Sequence, residues 1–429
     1  MNVLFINDST TNPNWGGRAA TVALRSMIRQ SGGEIIKTIT LEDIERSSLE
    51  TPAALYSDEP DYRAIVGTLL PDWLLALRRR LAPNLLRDRN ERLIPRRWAD
   101  YDRCMGEVLG EASPWPTFLQ SLGSIDVAVV FGDGDIYGNG IVPRTLFFLS
   151  FLIKKHFGKP VVMVDHTADL EHPDLLRVAQ EVYPLFDDVV FRDHVSAERY
   201  GALCASKVGA DAAFWFQPAP RGTWAPLAGR PTYFDVWPDT AGFDPSQPYL
   251  CVGGSALFGV SGVRESIVNG YLRLISRLRS SYGGQVVLTV SDCTDQTVFR
   301  SLAGLLDLPL IGPVTPVQQA VDIVGNADAY IGGRWHPSIF ALRGGTPVLP
   351  LSSTTFKMQA LTQMAGLPPK TFDTLNLEHE SAAIERQLLQ YLEQGNELRS
   401  RLSSWGNQMA DRSRQNVSYL ASLRALSAD

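Results

Sequence analysis

The chain has 429 residues, 45% hydrophobic and 20% charged, with a formal net charge of −6. At roughly 100–200 residues per domain, that length predicts two or three domains with ample area to bury a core. The acidic balance excludes the broad basic face that a nucleic-acid-binding protein needs, but it leaves room for a small basic pocket that takes an anion.

In chain order, Val3–Ile6 reads as a buried first strand. The residues around it lack a basic start followed by a long apolar run, so no secretory leader is expected. The glycine turn Asn14-Trp15-Gly16-Gly17-Arg18 follows, and the amphipathic stretch Ala19–Gln30 is expected to be helical. Leu41 to Ser121 holds many prolines, several tryptophans and the run Leu77-Arg78-Arg79-Arg80. It reads as helical insertions decorating the first domain, with the arginines on a solvated helix face. Ile125–Phe131, Val161–Val164 and Val189–Phe191 are near-continuous apolar runs, the signature of parallel strands covered on both faces. The longest apolar run, Leu146–Ile153, is interrupted by Ser150 and falls far short of the about 20 residues that a membrane-spanning helix needs.

Pro218 to Pro248 is rich in Pro, Gly and aromatic residues and reads as a linker. The alternation then restarts. Strands are expected at Tyr249–Val252, Val286–Val290, Pro309–Ile311, Ala329–Ile331 and Val348–Leu351, with helices at Ser266–Ser280, Val317–Gly325 and from Pro337 to Leu342. The tail, Ala382–Ser427, has long helical periodicity. The expected architecture is α/β: a Rossmann-like lobe over 1–217, a linker over 218–248, and a second Rossmann-like lobe over 249–429 carrying the helical tail, with a cleft between the lobes. In open parallel sheets, ligands sit beyond the carboxyl ends of the strands, so chemistry is sought in the residues that follow them.

After Ala329–Ile331 comes Gly332-Gly333-Arg334-Trp335-His336-Pro337-Ser338. Paired glycines let backbone approach a ligand, and Pro337 suits a helix's first turn. The helix N-terminus attracts an anion, and the Arg334 fork matches phosphate or carboxylate. His336 can exchange a proton near neutral pH. Anion grip and proton donor thus lie two residues apart. Val189–Phe191 is followed by Arg192-Asp193-His194-Val195-Ser196, where Arg192 is expected to face the cleft and Ser196 to cap the next helix. Gly132-Asp133-Gly134-Asp135, after Ile125–Phe131, approaches a dinucleotide fingerprint but places its third glycine one position late. Its aspartates suit sugar hydroxyls or the orientation of a nucleophile. Gly16, Gly17 and Arg18 form a plausible acceptor or anion loop. Gly253-Gly254-Ser255 is its counterpart in the second lobe, and Lys357 is placed to neutralise a phosphate. Asp165, His166, Asp169 and His172 cluster after Val161–Val164, but the two histidines are not at metal-ligand spacing, so no metal is expected; His166 is a minor acid–base candidate. Four dispersed cysteines fit a reducing compartment.

The ordered set of a glycine turn after the first strand, Gly132-Asp133-Gly134-Asp135-Ile136-Tyr137, Arg192-Asp193-x-x-Ser196, Arg334-Trp335-His336, Gly344-Gly345-Thr346-Pro347-Val348 and Lys357 resembles the polysaccharide pyruvyl transferase family. The match runs in patches from about Asn12 to Leu367 and is most specific from Asp328 onward; the segment Leu41–Ser121 is not covered. The resemblance implies a glycosyltransferase-B-like fold and transfer of pyruvate from phosphoenolpyruvate to a sugar as a ketal across two hydroxyls. It assigns Arg192, Arg334 and His336 to the donor, with His336 as proton donor and Lys357 in support. Donor contacts are further expected from Trp335, Gly253, Gly254 and Ser255. Acceptor contacts are expected from Gly16, Gly17, Arg18, Asp133, Asp135 and His166, and the acceptor base stays open among Asp133, Asp135 and His166. The first loop and the Gly-Asp turn depart from the family pattern on the side expected to meet the acceptor.

No cofactor is expected beyond phosphoenolpyruvate as donor substrate. The acceptor would be a sugar or lipid-linked oligosaccharide, met in the cytoplasm or at the inner face of the membrane through peripheral association. Two rivals remain: a nucleotide-sugar glycosyltransferase of the same architecture, and a non-catalytic sugar-binding protein.

Overall fold

The structure is a computed structural model and describes residues 1–47, 49, 91–259 and 264–426. The Arg-rich run 77–80 and much of the segment read as insertions lie outside the described residues. The chain forms two compact units, Met1–Asn12 with Ala20–Ala212 and Arg412–Asp429, and Pro13–Ala19 with Ala213–Asp411. These boundaries differ from the expected ones in three places. Residues 13–19 belong to the second unit, the 218–248 stretch is part of the second unit rather than a separate linker, and the end of the helical tail belongs to the first.

The first unit is built on six strands: β1 (Asn2–Asp8), β2 (Glu34–Thr40), β3 (Val127–Tyr137), β4 (Val161–Asp169), β5 (Asp188–Phe191) and β6 (Ser206–Val208). Their order is β2-β1-β3-β4-β5-β6, and every pairing is parallel. Val3–Ile6 and Val127–Phe131 are buried throughout, as a sheet covered on both faces requires. The apolar run 146–153 lies within the helix Ile141–Phe157 and is wholly buried. Its one polar interruption, Ser150, satisfies its hydroxyl on the Leu146 carbonyl at 2.7 Å. That helix stops at Gly158, whose left-handed backbone (φ 63°) returns an N–H to the Ile153 carbonyl. Part of the expected helical insertion is seen in the helices Tyr101–Leu109 and Pro116–Ser121. Tyr101 packs edge-on to Phe148 and Phe151 at 5.6 and 5.2 Å, which fastens the insertion to the buried helix.

The second unit carries β7 (Val236–Trp237), β8 (Tyr249–Ser255), β9 (Gln285–Thr289), β10 (Leu310–Ile311), β11 (Ala329–Gly333) and β12 (Val348–Pro350). The order is β12-β11-β8-β9-β10-β7, with only the short β7 antiparallel. From β8 the chain runs one way through β9 and β10, then crosses back to β11 and β12. The direction therefore reverses between β8 and β11, the place where open α/β sheets hold ligands. The helix Leu377–Arg412 is broken at Gly395, whose φ of 52° and ψ of −127° are not helical. Among the described residues, no helix is long and apolar enough to cross a membrane.

After that helix, the end of the chain packs on the first unit. Asn416 accepts from the Asp165 N–H at 3.0 Å and donates to the Ala210 carbonyl at 2.9 Å, and it is buried. Arg412 adds a bond from Nε to the Val208 carbonyl at 3.0 Å. Asn416→Ala strands one buried donor and one buried acceptor. We expect it to cost roughly 2–4 kcal/mol of unfolding free energy, read by urea denaturation of the full chain.

Candidate active site

In the second unit, Arg334 follows β11 and occupies the N-cap position of the helix Trp335–Arg343. Its Nε donates to Asp295 Oδ2 at 3.0 Å, and its Nη2 donates to Asp295 Oδ1 and to Thr294 Oγ1, both at 2.5 Å. Asp292 Oδ1 lies 3.5 Å from the same Nη2. Burial alone would lower the Arg334 pKa, but the two carboxylates overcome it and hold the guanidinium charged, above its ordinary value. Nη1 makes no hydrogen bond among the described residues, so the fork is engaged along one edge only. His336 lies in the first turn of the helix and is buried. Trp335 is buried beside it, and Lys357 opens the helix Lys357–Met364.

The glycines around this site serve packing, which corrects the reading of Gly253-Gly254 and Gly332-Gly333 as an approach for a ligand. A Cβ on Gly253 or Gly332 would fall on the Tyr330 hydroxyl, one on Gly254 would fall on the Asp295 carboxylate, and one on Gly333 would come within 2.8 Å of Ser255 and the Ser352 carbonyl. The Tyr330 hydroxyl is buried and has no partner among the described residues. Ser255 is likewise a pin, with Oγ donating to the Ser352 carbonyl at 2.6 Å. Gly253, Gly254 and Ser255 belong to β8 itself.

A further correction concerns Gly16, Gly17 and Arg18, expected to be an acceptor loop of the first lobe. They form the first turn of the helix Trp15–Gln30, within the part of the chain that belongs to the second unit. Arg18 is fully buried, and its Nη2 donates to the Pro313 and Thr315 carbonyls at 2.8 and 2.9 Å. Gly16 lies directly against the His336 imidazole.

The first unit holds a second cluster at the ends of β3, β4 and β5. Arg192 is 1% exposed rather than open to solvent, and its Nη1 donates to Asp133 Oδ1 at 2.6 Å and Asp211 Oδ2 at 2.8 Å. Its Nε donates to Thr167 Oγ1 at 3.0 Å. Burial would lower its pKa, but Asp133, Asp211 and Asp165 reverse that and keep it charged. Asp165 is buried, and its Oδ2 accepts from the Ala212 N–H at 2.8 Å. Burial, reinforced by Asp211, pushes its carboxyl well above the usual range. The helix cap expected from Ser196 comes instead from Asp193, which accepts from the Ser196 N–H at 2.7 Å. Gly132-Asp133-Gly134-Asp135 is not a turn after the strand but the continuation of β3, irregular between Asp133 and Ile136, with Asp133 in the left-handed region at φ 44°. Asp135 accepts from Asn7 Nδ2 at 2.9 Å.

His166 is not an acid–base group. It is fully buried in β4, with Nε2 3.0 Å from the Tyr183 hydroxyl, Nδ1 3.1 Å from the Val190 carbonyl and its ring 4.5 Å from Phe191. Burial pushes the imidazole down to about 3. The sequence reading missed Asp292, Thr294 and Asp295, although they directly follow the β9 run, and missed Asp211 and Asn14. The post-strand position of the first three was the available signal.

A family model described as polysaccharide pyruvyl transferase matches residues 45–355. No curated protein sequence matches the chain. Among solved structures, the chain is similar to the UDP co-structure of MnaA from S. aureus, with TM-score 0.55 and 14% identity over 100% of this chain and 98% of that one. It is also similar to UDP-GlcNAc 2-epimerase from Neisseria meningitidis bound to UDP-GlcNAc, with TM-score 0.54 and 12% identity over 98% and 99%. A putative UDP-N-acetylglucosamine 2-epimerase from Listeria monocytogenes gives 0.51 and 12% over 100% and 95%. At these identities the likeness concerns fold alone, and it agrees with the glycosyltransferase-B-like α/β class.

The buried His166 has a pH signature. Its folded pKa lies below the unfolded value of about 6.5, so below pH 6.5 the unfolded chain takes up a proton that the folded protein refuses until about pH 3. The contribution to stability is complete above pH 6.5 and falls by roughly 1.4 kcal/mol per pH unit below it. His166→Phe should flatten that slope between pH 6 and 4, measured as denaturant midpoints across the range.

Proposed function

From the premise that this chain belongs to the polysaccharide pyruvyl transferase family, we propose that it transfers pyruvate from phosphoenolpyruvate to two hydroxyls of a sugar in a glycan precursor, forming a ketal. The observation that carries this reading is the end of β11, where a half-engaged guanidinium and a histidine sit at the reversal point of the second sheet. Phosphoenolpyruvate is a small dianionic or trianionic ligand. The Arg334 edge left by Asp295, the N-terminus of the helix Trp335–Arg343 and Lys357 supply the matching positive potential.

In this mechanism His336 protonates the methylene carbon of the donor, and C2 gains oxocarbenium character. One sugar hydroxyl adds to C2, and a general base takes its proton. The C2–O bond to phosphate breaks, phosphate leaves with the electron pair, and the second hydroxyl closes the ketal as its proton leaves with the phosphate. That base gives up its proton to solvent, and His336 is reprotonated from solvent. With His166 withdrawn, the acceptor base lies between Asp133 and Asp135. Arg192 then serves by orienting Asp133 rather than by gripping the donor in the open, which revises its expected role.

Phosphoenolpyruvate should raise the melting temperature of the wild-type chain and leave Arg334→Ala unmoved. His336→Ala should bind it within about threefold of wild type while phosphate release with a sugar acceptor falls by about a hundredfold or more. Stabilisation by a nucleoside diphosphate alone would sink this reading in favour of a nucleotide-sugar transferase. Acceptor binding without phosphate release from any donor would indicate a sugar-binding protein.

A further inference from the structure

The segment 13–19 departs from the first unit's sheet at the end of β1 and makes its described contacts within the second unit. Those contacts converge on the two groups assigned to the donor. Asn14 Nδ2 donates to Asp292 Oδ2 at 2.7 Å, and Asp292 in turn lies beside the Arg334 guanidinium. Two residues on, Gly16 lies against the imidazole of His336, so closely that a Cβ would occupy the position of the ring. The segment is itself fixed. The Trp15 N–H donates to the Ser291 carbonyl at 3.0 Å, and its indole N–H donates to the Gly312 carbonyl at 3.2 Å.

We propose that Asn14 and Gly16 are positioning residues of the donor site. Asn14 sets Arg334 through Asp292, and Gly16 sets the His336 ring. The inference rests on the phosphoenolpyruvate reading for its chemistry, but the positioning is a property of the ligand-free chain.

Asn14 has two separable jobs. Its Oδ1 caps the helix Trp15–Gln30, accepting from the Gly16 and Gly17 N–H groups at 2.9 and 3.1 Å, while its Nδ2 serves Asp292. Aspartate caps a helix as well as asparagine does, so a residue needed only for the fold tolerates Asn14→Asp. The same change puts a carboxylate against Asp292 in place of a donor, and the repelled Asp292 no longer steadies Arg334. Gly16→Ala is compatible with the helix and improves its intrinsic propensity, yet it drives the His336 ring out of its place.

The test compares the full-length wild type, Asn14→Asp and Gly16→Ala in three measurements: the urea midpoint, calorimetric affinity and turnover with phosphoenolpyruvate, and, without ligand, the NMR resonances of the Arg334 Nε–H and the His336 imidazole. Asn14→Asp should keep the wild-type midpoint, bind phosphoenolpyruvate about tenfold more weakly or worse, and raise KM more than it lowers kcat. Gly16→Ala should lower kcat about a hundredfold with affinity within threefold. The Arg334 resonance should move in the first variant and the His336 resonance in the second. Resonances that coincide with wild type in both ligand-free variants overturn the inference, as do unchanged affinity and turnover. If the wild type takes no phosphoenolpyruvate, the proposed function fails, and the ligand-free resonances still decide the positioning either way.

Discussion

The ion pair between Arg334 and the fully buried Asp295 is the interaction around which the second unit's site is arranged. A buried carboxylate is costly unless it is paired with good geometry, and here both of its oxygens meet the guanidinium. That requirement propagates outward. Gly254 has no side chain because Asp295 occupies the space beside it, and Thr294 and Asp292 meet the same Nη2 that Asp295 holds. An arginine gripped along one edge is pre-organised: little rotamer entropy remains to be lost when an anion meets the other edge. The first unit treats its arginine differently. Arg192 is almost wholly buried and donates to Asp133, Asp211 and Thr167.

Glycine at a strand end is commonly read as room for a ligand, and this chain argues for more care. Gly253 and Gly332 make room for the Tyr330 hydroxyl, Gly132 for His166 and Gly16 for His336. In each case an internal side chain fills the space a Cβ would take. Only the last has a direct bearing on chemistry, because the ring it admits is the proposed acid.

The two-sheet architecture was legible because parallel strands buried on both faces write themselves as apolar runs, and all nine runs read as strands fall on strands. What was not legible follows from tertiary override. Gly132 to Asp135 has the composition of a turn, yet pairing of β3 with β4 carries the strand through it. Gly16 and Gly17 are poor helix formers, yet the Asn14 cap and the anchored Trp15 start the helix before them. The short β6 and β7 have too few residues to show a period, and β2 was passed over despite its β-branched residues. Arg334 and His336 stood out because they directly follow a strand. Their partners Asp292 and Asp295 also follow one, but acids without neighbouring glycines do not announce a site. Asn14 was visible only as part of a turn, since its partner is 278 positions away.

The return of residues 412–426 to the first unit has a consequence for how the protein is made. The first unit's sheet is encoded before residue 210, but Asn416, which pairs the Asp165 N–H and the Ala210 carbonyl, is translated some two hundred residues later. On the ribosome the second unit therefore has all its strands and its long helix in hand while the first still lacks the residues that close its buried polar groups. Synthesis order and completion order are inverted, and the unit begun first is finished last. A nascent chain stalled before Asn416 would hold a complete second sheet and an unsealed first one, which is the state a chaperone would meet.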